Sequence, residues 1–145
     1  MHQILLLNGP NLNLLGQREP EVYGSSTLDD VINQLKAVGQ QLGCDIRDRQ
    51  SNVEGELVDA LHDAQNWADG VVFNPGAYAH TSIALRDAIS GTGLPVVETH
   101  ISNIHAREKF RHHSMLAGVC IGTVAGFGVA SYEMSLAGLL RHLNA

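Results

Sequence analysis

Three polar segments carry the side chains that could do chemistry in this sequence. GPNLNLLGQREPEVYG (9–24) holds Asn11, Arg18 and Tyr23, NPGAYAH (74–80) holds Asn74 and His80, and ETHISN (98–103) holds Glu98, His100, Ile101 and Ser102. Amide, guanidinium, phenol, imidazole, hydroxyl and carboxylate groups are the parts of proton transfer and anion binding. Asparagine, glycine and proline also make turns, and any one segment reads equally well that way. The three together, with histidines in two of them, read as a site.

Covalent routes are poorly served. Lysine occurs only as Lys36, on the polar face of a helical pattern, and as Lys109, within HAREKF, and an imine needs a desolvated amine in the pocket. Position alone leaves Lys109 open. Cys44 and Cys120 each fall inside an apparent strand and read as reduced core sulfur, and no serine sits in a GxSxG turn. His100, His105, His112 and His113 cluster in sequence but lack HExxH spacing or a cysteine pair. Arg107, Lys109 and Arg111 between them oppose a cation, so no metal and no cofactor are expected.

Proton transfer by tyrosine and histidine remains. A free tyrosine ionises near pH 10, so Tyr23 serves as a base only where positive charge favours the phenolate, and Arg18 on the same segment can supply that charge. An equal alternative is a Tyr23 ring that anchors the loop. Histidine is the side chain suited to acid catalysis near neutral pH, and His100 can act as acid with Glu98 two residues away to orient it. Phenolate base and imidazolium acid suit removal of a proton beside a carbonyl and loss of hydroxide as water. The arginines favour an anionic substrate, a carboxylate by preference.

The elements that must position these groups are legible in the apolar pattern. A strand at 4–7 is followed by helical spacing at Leu28, Val31, Ile32, Leu35, Val38 and Leu42, capped by Ser26 or Thr27 and closed by Gly43. Charged CDIRDRQ (44–50) suits a sheet edge. Then come a helix over 53–67 with Leu57, Leu61 and Ala64 inward, strand 70–74, helix 81–89, strand 94–98, strand 118–124 and a last helix with Tyr132, Leu136, Leu139, Leu140 and Leu143 on one stripe. Such alternation predicts an α/β fold, a flavodoxin-like three-layer sandwich: a five-stranded parallel sheet of order 2-1-3-4-5 with helices on both faces. Ligands in such sheets bind beyond the carboxyl ends of the strands, where the three polar segments begin.

At 145 residues the chain fits one domain, 1–145. A formal charge of −6 with scattered basic residues argues against nucleic acid and anionic membranes. The opening MHQILLLNGP is too short an apolar run for a secretory leader and closes on a turn signal, and no segment reaches the roughly 20 apolar residues of a membrane span. A cytoplasmic location is expected.

NGPNLNLLGQREPEVYG (8–24), FNPGAYAHTSIALRDAI (73–89), VVETHISNIHAREKFR (96–111) and GVCIGTVAGFG (118–128) closely resemble the type II 3-dehydroquinate dehydratases, in the expected order and over almost the whole chain. The resemblance implies a flavodoxin-like subunit that converts 3-dehydroquinate to 3-dehydroshikimate by anti elimination through an enolate, without metal or imine. It implies Tyr23 as base, made acidic by Arg18 with aid from Arg107, and His100 as acid oriented by Glu98. Asn11 then serves the water or enolate oxygen, Asn74 the carboxylate and leaving-group region, Ile101 and Ser102 the carboxylate, and His80 and Arg111 the ring hydroxyls. Asp87 would reach a neighbouring subunit's site in an assembly of trimers, usually a dodecamer. Ala79 replaces a hydroxyl residue more usual at that position. The long first loop is then a lid carrying Arg18 and Tyr23.

Two rivals share the architecture. A flavin- or ligand-binding module without turnover would want hydroxyl residues in the first loop to cradle a phosphate, and GPNLNLLG has none. A phosphoryl-accepting receiver domain would want aspartates where NGPN and NPGAY stand.

Overall fold

The computed structural model describes residues 1–17 and 19–145. The chain runs β1 (His2–Asn8), a short helix α1 (Pro20–Tyr23), α2 (Leu28–Leu42), β2 (Cys44–Gln50), α3 (Glu54–Ala64), β3 (Gly70–Asn74), α4 (Ile83–Thr92), β4 (Val96–His100), β5 (Gly122–Ala125) and α5 (Ala130–Leu143). The strands form one parallel sheet in the order β2-β1-β3-β4-β5, with charged β2 at an edge as its composition requires.

Strand alternation sorts the core into two layers. Ile4 and Leu6 of β1 pack with Val31 and Leu35 of α2 and with Tyr132, Leu136, Leu139 and Leu140 of α5. Leu5 and Leu7 point the other way, against Leu57 and Leu61 of α3 and Leu85 and Ile89 of α4. Each of these layers is closed on both sides, and truncating fully buried Leu6 to alanine should cost about 2–5 kcal/mol. Helix α2 starts where Thr27 and Asp30 exchange hydrogen bonds in a capping box, and it ends on Gly43 at φ 85°.

Five elements depart in extent from the sequence expectation, the first being β1, which spans His2–Asn8 rather than 4–7. β4 spans Val96–His100 rather than 94–98, because Glu98 and His100 find buried partners and the polar end of the segment stays in the sheet. β5 is confined to Gly122–Ala125 rather than 118–124, since Ala117–Val119 tightens into a 3₁₀ turn. Cys120 therefore lies outside any strand. The crossover from β4 to β5 is built from 3₁₀ turns instead of an α-helix, so helices do not alternate with every strand. α3 and α4 occupy Glu54–Ala64 and Ile83–Thr92 rather than 53–67 and 81–89, the latter starting where the Ser82 hydroxyl accepts from Leu85 N–H. α1, within the long first loop, was not foreseen.

Register carries the polar ends of three strands to one edge. Asn8 pairs with Asn74 across β1 and β3, while Phe73 pairs with Glu98, so β4 projects His100 beyond the end of β3. Gly9 permits the close approach there: a Cβ at this position would lie 2.5 Å from the Pro75 carbonyl oxygen. Among the described residues no helix is long and apolar enough to cross a membrane.

Candidate active site

Beyond these strand ends lies a cleft of about 110 Å³. Nine residues singled out from the sequence line it: Asn11, Tyr23, Asn74, His80, His100, Ile101, Ser102, Arg107 and Arg111. Glu98 sits directly beneath His100, 1% exposed, and does not reach the opening. Asp87 is exposed on α4 and does not line the cleft. Arg18 lies outside the described residues.

Period-two geometry builds the histidine–carboxylate pair. Glu98 and His100 are alternate residues of β4 and project from the same face, while Thr99 between them turns to the α5 side and hydrogen-bonds Ser135 at 2.7 Å. His100 Nε2 lies 2.5 Å from Glu98 Oε2, and Ser114 donates to Glu98 Oε1 at 2.6 Å. The ring nitrogen left to the cleft is Nδ1. Cys120 lies against the same carboxylate: burial first, and then the Glu98 charge, push its thiol up to about 12, although the Glu98 backbone N–H works against the shift. A neutral thiol there is no nucleophile at ordinary pH.

His80 stacks on His100 with centroids 6.2 Å apart and planes at 19°. Its Nδ1 lies 2.8 Å from the His113 carbonyl oxygen. Burial above all holds His80 below the ordinary imidazole range, helped by the charges of His100 and Arg111, against the raising effect of the His113 carbonyl and Glu98. A neutral ring beside His100 avoids two adjacent imidazoliums.

α1 and the segment after β4 also line the cleft. Pro20 opens α1, and Glu19 before it adopts φ 44°, an uncommon conformation for a side-chain-bearing residue, so the turn presents Tyr23 to the cleft. Arg107 Nη1 donates to the Tyr23 hydroxyl at 2.8 Å and to the Ser102 hydroxyl at 3.3 Å, and Arg107 Nη2 stands 3.8 Å from Glu19. A charged donor on the phenol oxygen stabilises negative charge there. Glu108 holds Arg111 through Nε at 3.2 Å and approaches Arg107 Nε at 3.8 Å, spacing the two cations at the cleft mouth. Arg107, expected as an aid to Arg18, is in direct contact with Tyr23.

At the floor, the hydrogen bonds have one consistent direction. Gly76 N–H donates to Asn74 Oδ1, Asn74 Nδ2 donates to the Tyr132 hydroxyl, and Tyr132 donates to Asn8 Oδ1. The second Nδ2 hydrogen of Asn74 remains for the cleft. Asn11, left-handed at φ 68°, is held through its N–H by the Asn52 side chain. Neither lysine takes part: Lys36 pairs with Asp48 at 2.8 Å, and Lys109 is exposed and does not line the cleft. Among the described residues no group of three or more His, Cys, Asp or Glu side chains is placed to hold a metal ion.

The sequence pattern of the dehydroquinase class II family matches residues 2–140. The chain belongs to that family. It is 55% identical to the 3-dehydroquinate dehydratase of Jannaschia sp. (strain CCS1) over 142 residues, covering 98% of this chain and 96% of the other. It is 56% identical to that of Synechococcus sp. (strain CC9605), covering 99% and 98%. The crystal structure of type II dehydroquinase from Butyrivibrio crossotus superposes with a TM-score of 0.93 at 39% identity, covering 99% of this chain and 98% of that one. The flavodoxin-like order of the sheet is thus that of the family.

Ser114, Glu108, Glu19 and Tyr132 escaped the sequence reading as site residues. Ser114 had no motif to mark it, Tyr132 read correctly as core, and the Glu108 to Arg111 spacing was the one local signal available.

Proposed function

We propose that the protein, as a type II 3-dehydroquinate dehydratase of the shikimate pathway, removes water from 3-dehydroquinate to give 3-dehydroshikimate by the following route. The observation that carries the mechanism is a single cleft lined by both a cation-bound phenol and a carboxylate-bound imidazole. Tyr23 as phenolate takes the proton beside the ketone, and the C–H electron pair forms the enolate. His100, protonated, gives its Nδ1 proton to the departing hydroxyl as the enolate collapses to the conjugated enone. The elimination is anti, as the family resemblance implies.

Arg107, with Arg18 from the same loop, favours the phenolate, and Glu98 orients His100 and offsets its charge. Asn11 serves the enolate oxygen or its water, and Asn74 presents an N–H toward the leaving-group region. Ser102 and the Ile101 backbone bind the carboxylate, while His80 and Arg111 hold ring hydroxyls. The long loop bearing Tyr23 acts as a lid that excludes water. The absence of a cleft lysine among the described residues favours a route without an imine. We further propose a cytoplasmic homododecamer built as a tetramer of trimers, in which exposed Asp87 reaches a neighbour's site; one domain, 1–145, then carries each site.

The test is to treat the protein with a chelator, add 3-dehydroquinate and follow the ultraviolet absorbance of the enone with and without borohydride. Growth insensitive to both agents is expected. Absence of product would overturn the reading, and loss of activity to borohydride would replace it with an imine mechanism.

A further inference from the structure

Ser114 stands where proton direction is decided by counting. Its Oγ accepts from Leu116 N–H and from Ala117 N–H, both at 3.1 Å, and lies 2.6 Å from Glu98 Oε1. A serine hydroxyl has two lone pairs and one hydrogen. With both lone pairs engaged by backbone donors, the hydrogen must point to Glu98, and Glu98 Oε1 can only accept. The carboxylate is 1% exposed, and its second oxygen meets His100 Nε2 at 2.5 Å. An acceptor fixed at one oxygen by a donor that cannot turn leaves the other oxygen to receive Nε2–H.

We infer that Ser114 is a positioning residue that sets the tautomer of His100, through Glu98, so that neutral His100 carries its hydrogen on Nε2 and offers bare Nδ1 to the cleft. Protonation then adds the one transferable hydrogen at Nδ1. The inference rests on the proposed elimination for its effect on turnover, but the tautomer itself exists without substrate. The two backbone donors belong to the 3₁₀ turn at Ala117–Val119 in the crossover that precedes β5, so a turn with no residue in the cleft orients a ring inside it.

The decisive variant is Glu98→Gln. A carboxamide has one acceptor and one donor end, and Ser114 must draw the oxygen to itself. The NH₂ then faces His100 Nε2, which becomes an acceptor, and the hydrogen moves to Nδ1. Long-range ¹H–¹⁵N spectra of histidine-labelled protein, without substrate and at a pH where the rings are neutral, read this directly, with His100 assigned by its disappearance in His100→Asn.

Wild type should show Nε2–H, Glu98→Gln should show Nδ1–H, and Glu98→Gln/Ser114→Ala should lose the single preference and give a mixture. A Glu98→Gln protein that keeps Nε2–H, or a double variant that keeps pure Nδ1–H, would overturn the inference. If Ser114→Ala fails to fold for want of its turn, the Glu98→Gln spectrum still decides. In turnover, Ser114→Ala should lower kcat roughly tenfold at unchanged KM, the scale of one hydrogen bond to a charged group, with Ser114→Thr restoring it. Failure of the dehydratase reading would show as no turnover in wild type and would leave the spectra interpretable.

Discussion

Arg107 Nη1 lies 2.8 Å from the Tyr23 hydroxyl, and the guanidinium carbon stands 5.3 Å from the centroid of the same ring. One side chain from the segment after β4 thereby grips the first loop and polarises the phenol. Its Nη1 also reaches Ser102 and its Nη2 lies near Glu19, so the guanidinium spans three groups that a single ammonium could not span. Arg107→Lys and Arg107→Ala should both lower kcat by roughly 10²-fold, and Tyr23→Phe by roughly 10²- to 10⁴-fold, with substrate binding by Tyr23→Phe near that of wild type. Enone growth and binding calorimetry measure these. Near-wild-type turnover in Tyr23→Phe would remove it as the base.

Tyr132→Phe should act at a distance from the reacting atoms. The Tyr132 hydroxyl is fully buried, and burial pushes its ionisation up against the counteracting Asn74 donor, so it stays neutral and bridges Asn74 to Asn8. Its loss leaves Asn74 Nδ2 and Asn8 Oδ1 short of partners, at a cost of about 1–3 kcal/mol in stability, and frees the Asn74 amide to turn. Denaturant unfolding and KM should both register it. An unchanged midpoint would show that the amides find other partners.

Acid should weaken the fold through His80. Its folded-state pKa lies below the ordinary value, mainly because the ring is buried, so the unfolded chain takes up the proton first. The contribution is fully present above the unfolded value near 6.5 and is lost as pH falls through the folded value. His80→Gln, which cannot titrate, should show a shallower loss of stability below pH 6.5 than wild type in matched urea melts. Parallel curves would contradict the assignment.

Cys120 should resist thiol reagents in the folded protein. With the thiol pushed up to about 12 by burial and Glu98, little thiolate exists at pH 8. Reaction with a disulfide reagent should accelerate by at least roughly 10²-fold on unfolding, followed by absorbance of the released thiolate. Rapid native-state labelling of Cys120, located by peptide mass, would mean that the site opens.

The fold was legible because its signals are local or periodic. Leu28 to Leu42 keep a helical stripe with a capping threonine and a closing glycine, and the charges of β2 announce an edge; both need only short stretches of chain. Where reading failed, burial overrode composition. His100 looks like loop by polarity, yet buried Glu98, itself held by Ser114, satisfies it inside the sheet, and Cys120 looks like strand but is turned out by a 3₁₀ segment.

Much of the cleft could be named in advance because parallel strands must deliver their following loops to one edge, so Tyr23, Asn74, His80 and His100 meet by topology alone. Which groups touch was a different question. That Arg107 donates to Tyr23, that Tyr132 orients Asn74, and that Ser114 commands the far side of Glu98 depend on separations of 84, 58 and 16 residues. Periodicity is a property of adjacent residues and is written in the chain; hydrogen-bond direction between remote groups is set only when packing brings their donors and lone pairs into register.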